Sequence, residues 1–354
     1  MARKIMGETR RAAAQGWTRR AALGLAAGLG LGLAMAAGAA AAAEKVAVGA
    51  LRFTSHAPTF IAYERGYFAD EGLDVELKFF QAAQPVAVAV ASGDVDFGVT
   101  ALTGGFFSLA DKGAVRVIGG LMSEHPDHDG SAVLVSNKAW DEGVRSMADL
   151  RGRSFALTQF GSSFHYMAGR IAEANGFALE DMRLVPLQKV GAMIGALKSG
   201  QVDAMAIVPH IARPLDAAGA AHIVGWVRDL GPYQVTTIFT SAANTTERPE
   251  LVRRFMRAYA RGIADYRAVM LDQDRDPAAT EAMVDLIHKY VYADRPREKA
   301  APSIKAGAVH LNAGAALDVA DVERQLTWFK KHGLAPAGLT MDKLVDPRFQ
   351  PAGE

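Results

Sequence analysis

From residue 44 onward the hydrophobic and polar positions alternate between two periods. Val46 to Leu51 is apolar and β-branched and reads as a strand. Pro58 to Arg65 carries helical spacing and stops at Gly66; Leu73 to Phe80 alternates in its first half and reads as a second strand. Pro85 to Ala91 predicts a helix, with the proline suited to its first turn, and Phe97 to Thr100 a third strand. Ser154 to Leu157 is another short β-prone run. It is followed by Phe164, Met167, Ala168 and Ile171 at i, i+3, i+4 and i+7, a helix begun by Ser162 or Ser163 and stopped at Asn175-Gly176. Strands alternating with helices predict an α/β architecture with parallel sheets covered by helices.

One five-residue segment occurs twice. Ser92-Gly93-Asp94-Val95-Asp96 is echoed by Ser199-Gly200-Gln201-Val202-Asp203; each follows an amphipathic run and precedes an apolar one. A glycine stop, a tight turn and a buried strand account for either copy, and the pair suggests two α/β lobes of similar plan. In open α/β sheets ligands sit beyond the carboxyl ends of strands, at helix starts. Four segments occupy such exits: Arg52 to Pro58, Thr100 to Gly105, Gln159 to Tyr166, and Pro209-His210.

Composition narrows the class. The chain has 354 residues, 50% hydrophobic and 22% charged, enough for a large core and for two domains. Residues 1–43 differ from the rest. Arg3, Lys4, Arg10, Arg11, Arg19 and Arg20 face one acid, Glu8, and Ala21 to Ala43 is uncharged, the pattern of an export signal cleaved near Ala43. A retained membrane anchor is the rival, but alanine and glycine make the run only mildly apolar. Thr18-Arg19-Arg20-Ala21-Ala22-Leu23 is similar to a twin-arginine motif, departing from it at Ala22 and Gly24. Without residues 1–43 the 39 basic and 38 acidic residues become 33 and 37, about −4, which gives no nucleic-acid surface. The absence of cysteine excludes disulfides, thiolate metal sites and cysteine nucleophiles.

The ordered series of motifs resembles a known family. His56-Ala57-Pro58, Ala62-Tyr63-Glu64-Arg65-Gly66-Tyr67-Phe68 and Glu71 to Glu76 resemble the opening of periplasmic solute-binding proteins of the nitrate/sulfonate/taurine type, within the thiamine-pyrimidine-synthase-like superfamily. Ser92 to Gly98, Leu150-Arg151-Gly152-Arg153, Gly200 to Ala204, and Leu326-Thr327-Trp328-Phe329 through Leu344-Val345-Asp346 continue the likeness over essentially the whole chain after residue 43. The resemblance implies a two-lobed (type II) periplasmic-binding-protein fold. One lobe would combine 44–132 with 238–354 and the other would hold 133–237. Crossings would lie near Gly130 to Val133 and Tyr233 to Thr237. It also implies a periplasmic monomer that binds a small molecule in the cleft, delivers it to a membrane ABC permease, and uses no cofactor or metal.

Under that resemblance the expected ligand-binding residues are Arg52, Ser55, His56, Thr100, Thr103, Ser162, Ser163, His165, Tyr166, His210 and Tyr233, with Gln234 beside the last. Hydroxyls, helix starts and one arginine suit a small organic anion: a sulfonate, a taurine-like zwitterion or an aromatic carboxylate. A neutral pyrimidine precursor is the alternative. A pyrimidine-synthase-like enzyme is disfavoured by the missing cysteines. A serine hydrolase is disfavoured because Gly161-Ser162-Ser163-Phe164-His165 lacks the final glycine of a nucleophile elbow. Glu124 to Gly130 is rich in metal-ligating types but has no calcium-loop or helical zinc spacing, and it reads as a solvated loop leading into the hinge. Asp321 to Lys331 reads as an amphipathic helix packed on the first lobe.

Overall fold

A computed structural model describes residues 42–350, and all but the last two residues of the expected export signal lie outside that range. Twelve strands lie among the described residues: β1 (Glu44–Ala50), β2 (Leu73–Phe79), β3 (Phe97–Thr100), β4 (Val115–Gly120), β5 (Ser123–Glu124), β6 (Ala132–Val135), β7 (Ser154–Leu157), β8 (Arg183–Pro186), β9 (Ala204–Ile207), β10 (His222–Trp226), β11 (Tyr233–Gln234) and β12 (Thr237–Ser241). They form two five-stranded sheets, ordered β2-β1-β3-β12-β4 and β10-β6-β9-β7-β8, and a two-stranded ribbon of β11 with β5.

The two sheets share one plan. β1 lies parallel between β2 and β3, as β7 lies parallel between β8 and β9. The next strand, β12 or β6, is antiparallel to both its neighbours. The sheets are therefore mixed rather than purely parallel, a correction to the sequence expectation. The reversed strand in each is the one by which the chain enters from the other lobe, so it runs opposite to strands fed by helical crossovers.

The repeated pentapeptide sits at the same place in both. Gly93 and Gly200 take left-handed backbone angles, φ +83° and +70°, at the ends of helices Ala83–Ser92 and Val190–Lys198. The final aspartates then accept a hydrogen bond from the neighbouring central strand: Asp96 from the Ala47 N–H at 2.9 Å, Asp203 from the Ser154 N–H at 2.7 Å.

Eight helices matter below: α1 (Ala57–Glu64), α2 (Ala83–Ser92), α3 (Gly104–Asp111), α4 (Ser163–Ala174), α5 (Val190–Lys198), α6 (Pro209–Ala217), α7 (Pro249–Met270) and α8 (Val319–Lys331). The inner strands β3, β7 and β9 are buried at every position, so their apolar runs need no alternation. The 22-residue α7 closes the first lobe, with Phe255 stacked on Phe97 at 3.8 Å between centroids. Helix α8 does not pack on the first lobe alone, as expected, but straddles the junction. Phe329 meets Phe107 of α3 at 4.9 Å, while Trp328 meets Tyr166 of α4 at 5.2 Å. No helix among the described residues is long and apolar enough to cross a membrane.

Candidate functional site

The strand exits of both sheets converge on one cavity. Its wall is built from Phe53, Ser55 and His56 after β1, Gln84 at the start of α2, Thr100 and Thr103 after β3, Thr158, Gln159, Ser162 and Ser163 after β7, and Val208 after β9. Phe164, Met167, Val190 and Ile207 supply the apolar floor, and Met122, Ser131, Val235 and Thr236 come from the crossings between lobes. The cavity holds about 680 Å³ of space between protein atoms, part of it open to solvent. The lobes are drawn together around this slot. Contacts between them hold that closure: the Gly104 N–H donates to the Gly161 carbonyl at 2.8 Å, and the Tyr292 hydroxyl donates to the His210 carbonyl at 2.9 Å.

Two helix starts reach the slot. Ser162 is the N-cap of α4, its side chain accepting from the His165 N–H at 3.4 Å; Thr103 is the N-cap of α3, accepting from the Phe106 N–H at 3.0 Å. Each cap satisfies one orphan donor, and the positive end of each helix dipole faces the cavity wall. The Thr103 hydroxyl proton goes to the Gln84 side-chain oxygen. The Gln84 amide nitrogen is thereby left as a donor.

His56 is fully desolvated, which pushes its imidazole down to about 3 and keeps it neutral. Its Nδ1 accepts from the Leu51 N–H at 3.2 Å, so Nε2 carries the proton and can donate. Among the described residues the cavity wall contains no arginine, lysine, aspartate or glutamate.

Of the residues expected from sequence, six line this cavity: Ser55, His56, Thr100, Thr103, Ser162 and Ser163. Five do not. Arg52 turns outward, its guanidinium 3.8 Å above the Phe79 ring and donating to the Tyr290 carbonyl at 3.0 Å. His165 faces the opposite side of α4, between Phe160 and Trp328, with Nδ1 accepting from the Gly161 N–H at 2.9 Å. Tyr166 packs with Tyr233 at 5.1 Å and Phe329 at 5.9 Å, both tyrosines being core residues at the junction.

His210 bonds through Nδ1 with the Thr54 hydroxyl at 3.1 Å. Because that hydroxyl gives its single proton to the Gly307 carbonyl at 2.8 Å, His210 is the donor, and it ties the second lobe to the first rather than facing a ligand. Gln234 likewise wires the crossings: its N–H donates to Asp321 at 2.7 Å and its side-chain amide to the Met122 and Thr236 carbonyls. The loop His125 to His128 does not reach the cavity, although Met122 and Ser131 at its two ends do. Gln84 was missed. It lies at the exit of β2, where the rule applied to the other strands would have found it.

Comparison with known proteins agrees with this architecture. A Brucella abortus relative, provisionally named a binding protein, is 26% identical over 234 residues, covering 64% of this chain and 68% of its own. The riboflavin-binding protein RibY of Chloroflexus aurantiacus is 27% identical over 214 residues, 59% of this chain and 58% of that one. The alkanesulfonate-binding protein SsuA of Xanthomonas axonopodis pv. citri, solved with MOPS, superposes with a TM-score of 0.68 at 19% identity, covering 86% of this chain and 98% of that one. This likeness carries the fold, a two-lobed periplasmic-binding-protein fold with the cleft between its lobes. The family described as NMT1/THI5 like matches residues 53–269, from just after β1 to near the end of α7, and the chain belongs to that family.

Proposed function

We propose that this chain is the solute-binding component of an ABC importer. It works in the periplasm after export, closes its lobes around a small molecule, and presents the closed form to a membrane permease. The observation that supports this is the enclosed slot: both lobes contribute polar groups to it, and the lobes meet above it. A ligand that contacts both walls stabilises the closed state through its differential affinity, which is all that coupling of binding to closure requires. Binding needs no chemistry on the solute, and nothing in the wall pairs a nucleophile with a base; we read the chain as a carrier rather than an enzyme.

The wall favours an uncharged, ring-bearing solute. Its amides and hydroxyls (Gln84, Gln159, Thr100, Ser162) suit the donor and acceptor edges of a heteroaromatic ring, and Phe53, Phe164 and Met167 suit its faces. Burying a full charge beside them would cost several kcal/mol without a partner. The organic anion expected from sequence remains the second reading, favoured by the two helix starts at the slot, each worth about 0.3–1 kcal/mol toward an anion and up to ~2 when partly buried.

Thermal unfolding against pyrimidines, flavins, alkyl sulfonates and aromatic carboxylates separates the two. A ligand at about 100 times its Kd stabilises the native state by about 2.7 kcal/mol. A shift with heterocycles that is lost in Gln84→Ala supports the uncharged reading. A shift with anions alone replaces it by the second. No shift with any solute, together with no small molecule co-purifying, would sink the carrier reading.

A further inference from the structure

Away from the cavity, three histidines from two distant parts of the chain come together. His125 and His128 lie in the loop after β5, and their backbones pair with each other, the His128 N–H donating to the His125 carbonyl at 3.2 Å. His310 arrives from the segment before α8. That segment pairs with the same stretch of chain: Met122 bridges to Leu311, and the Ser123 N–H donates to the His310 carbonyl at 3.3 Å. Backbone pairing on both sides therefore fixes where the rings meet.

The ring centroids are 4.3 Å apart for His125 and His310, 5.4 Å for His125 and His128, and 5.6 Å for His128 and His310. One nitrogen of each ring lies within 4.8 Å of the other two, and all three residues are half-buried. The Nδ1 of His310 is buried and has no hydrogen-bond partner. A buried polar atom left unsatisfied against two further imidazoles is what a ligand-binding group looks like before its ligand arrives.

We propose that His125, His128 and His310 form a binding site for a divalent transition metal of the zinc class. Three imidazole nitrogens are borderline-soft donors that suit Zn²⁺, Cu²⁺, Ni²⁺ or Co²⁺ and not the oxygen-seeking Ca²⁺ or Mg²⁺. Around a tetrahedral zinc the nitrogens would stand about 3.3 Å apart, so the stacked rings turn inward by roughly an ångström or more on binding. His125 Nδ1 accepts from the Asp127 N–H at 3.2 Å; coordination through Nε2 moves the ring proton to Nδ1 and gives up that bond, and the Nδ1–H then faces the Asp127 carboxylate, 3.8 Å away, the usual orienting partner of a metal-bound imidazole. Two cations stand nearby: Arg267, which donates to the Leu311 carbonyl, and Arg228, which is held by Asp129 at 3.3 Å. The affinity must then come from coordination rather than from the local field. A fourth position stays open, for water or an outside ligand.

The site is independent of the solute cavity, because none of its residues lines it. It sits instead on a crossing between lobes, where a metal would clip the 123–128 segment to the 308–311 segment.

The test titrates the untagged chain with Co²⁺, read by its visible absorption, and with Zn²⁺ in competition against a chromophoric chelator. The expected result is one equivalent bound, with visible bands of a low-coordinate nitrogen site. His310→Ala and His128→Ala should each weaken binding by more than about 100-fold, beyond what loss of an orienting partner alone would cause. His222→Ala, on the second sheet, should leave it unchanged. Metal-free thermal unfolding checks the fold of each variant, and His125→Ala, at a half-buried loop position, serves if His310→Ala unfolds. No binding at micromolar metal, or binding untouched by these loop and His310 substitutions, overturns the assignment.

Discussion

Gly169 is the position where two opposite expectations can be weighed against each other. It lies within α4 and faces Trp328 of α8. A Cβ added there would stand 2.3 Å from Trp328 Cζ2, 2.8 Å from Cε2 and 2.9 Å from Nε1. The indole cannot swing clear: it is 6% exposed, and Tyr166, Phe329, His165 and His332 surround it. Helix propensity alone makes Gly169→Ala stabilising by about 1 kcal/mol. Overpacking a close-fitted site costs about 1–3 kcal/mol. A carbon more than an ångström inside the usual ~3.5–4.0 Å contact belongs at the upper end of that range. The net expectation is destabilisation by about 1–2 kcal/mol, read as a lower urea midpoint at unchanged slope. Gly169→Ala combined with Trp328→Phe should lose less than the two single losses added together, by about 1 kcal/mol, because the smaller ring accepts the methyl. If Gly169→Ala alone unfolds at higher urea than the parent, propensity wins, and α8 is not seated on α4 as closely as described.

Three further outcomes are expected. Burial holds His56 and His210 neutral down to about 3, whereas both ionise near 6.5 when unfolded; their folded values are depressed, so stability is full above pH 6.5 and is lost as pH falls toward 3. Urea midpoints should decline across that window, and His210→Gln should flatten the decline; an unchanged slope refutes the burial argument. At Asp203, burial would raise the carboxyl, but the Ser154 hydroxyl and N–H bonds outweigh it and hold it below its ordinary 3.8. Asp203→Ala leaves the buried Ser154 N–H without a partner, at a cost of about 1–3 kcal/mol by chemical denaturation at pH 7; the parent's share of this is lost only as pH falls below 3.8. Ser162→Ala should cost about 1 kcal/mol through the lost cap. Ser163→Ala should instead leave the melting temperature within a degree or two and weaken solute binding, a separation that calorimetry with and without solute reads directly.

What could be read from the sequence, and what could not, follows from how far apart the interacting residues lie. Glycine stops, caps and buried strands are local, and the elements from β1 to β3 and from β7 to α4 fall where the pattern puts them within a residue or two. The repeated Ser-Gly-x-Val-Asp is local as well, yet its meaning is not. Asp96 and Asp203 are placed identically because each reaches the backbone of a strand 49 residues earlier in the chain, Ala47 and Ser154. The strand-exit rule leads to three segments that line the slot because it depends on chain direction in a sheet; the fourth, Pro209-His210, stands just past Val208 and outside the wall. The rule cannot choose among residues within a segment, since that depends on side-chain direction. His56 and Ser162 turn into the slot, while the guanidinium of Arg52, on its long flexible stem, finds the Phe79 face and the Tyr290 carbonyl instead. A guanidinium placed at a strand exit suggests an anion; the same guanidinium stacked outside the wall leaves an uncharged slot, and the preferred solute changes with it. The histidine cluster shows the same limit more sharply. His125 and His128 are visible as a pair with the wrong spacing for a known motif. Only the pairing of Met122 with Leu311, set by the return of the chain to the first lobe, brings the third ring beside them.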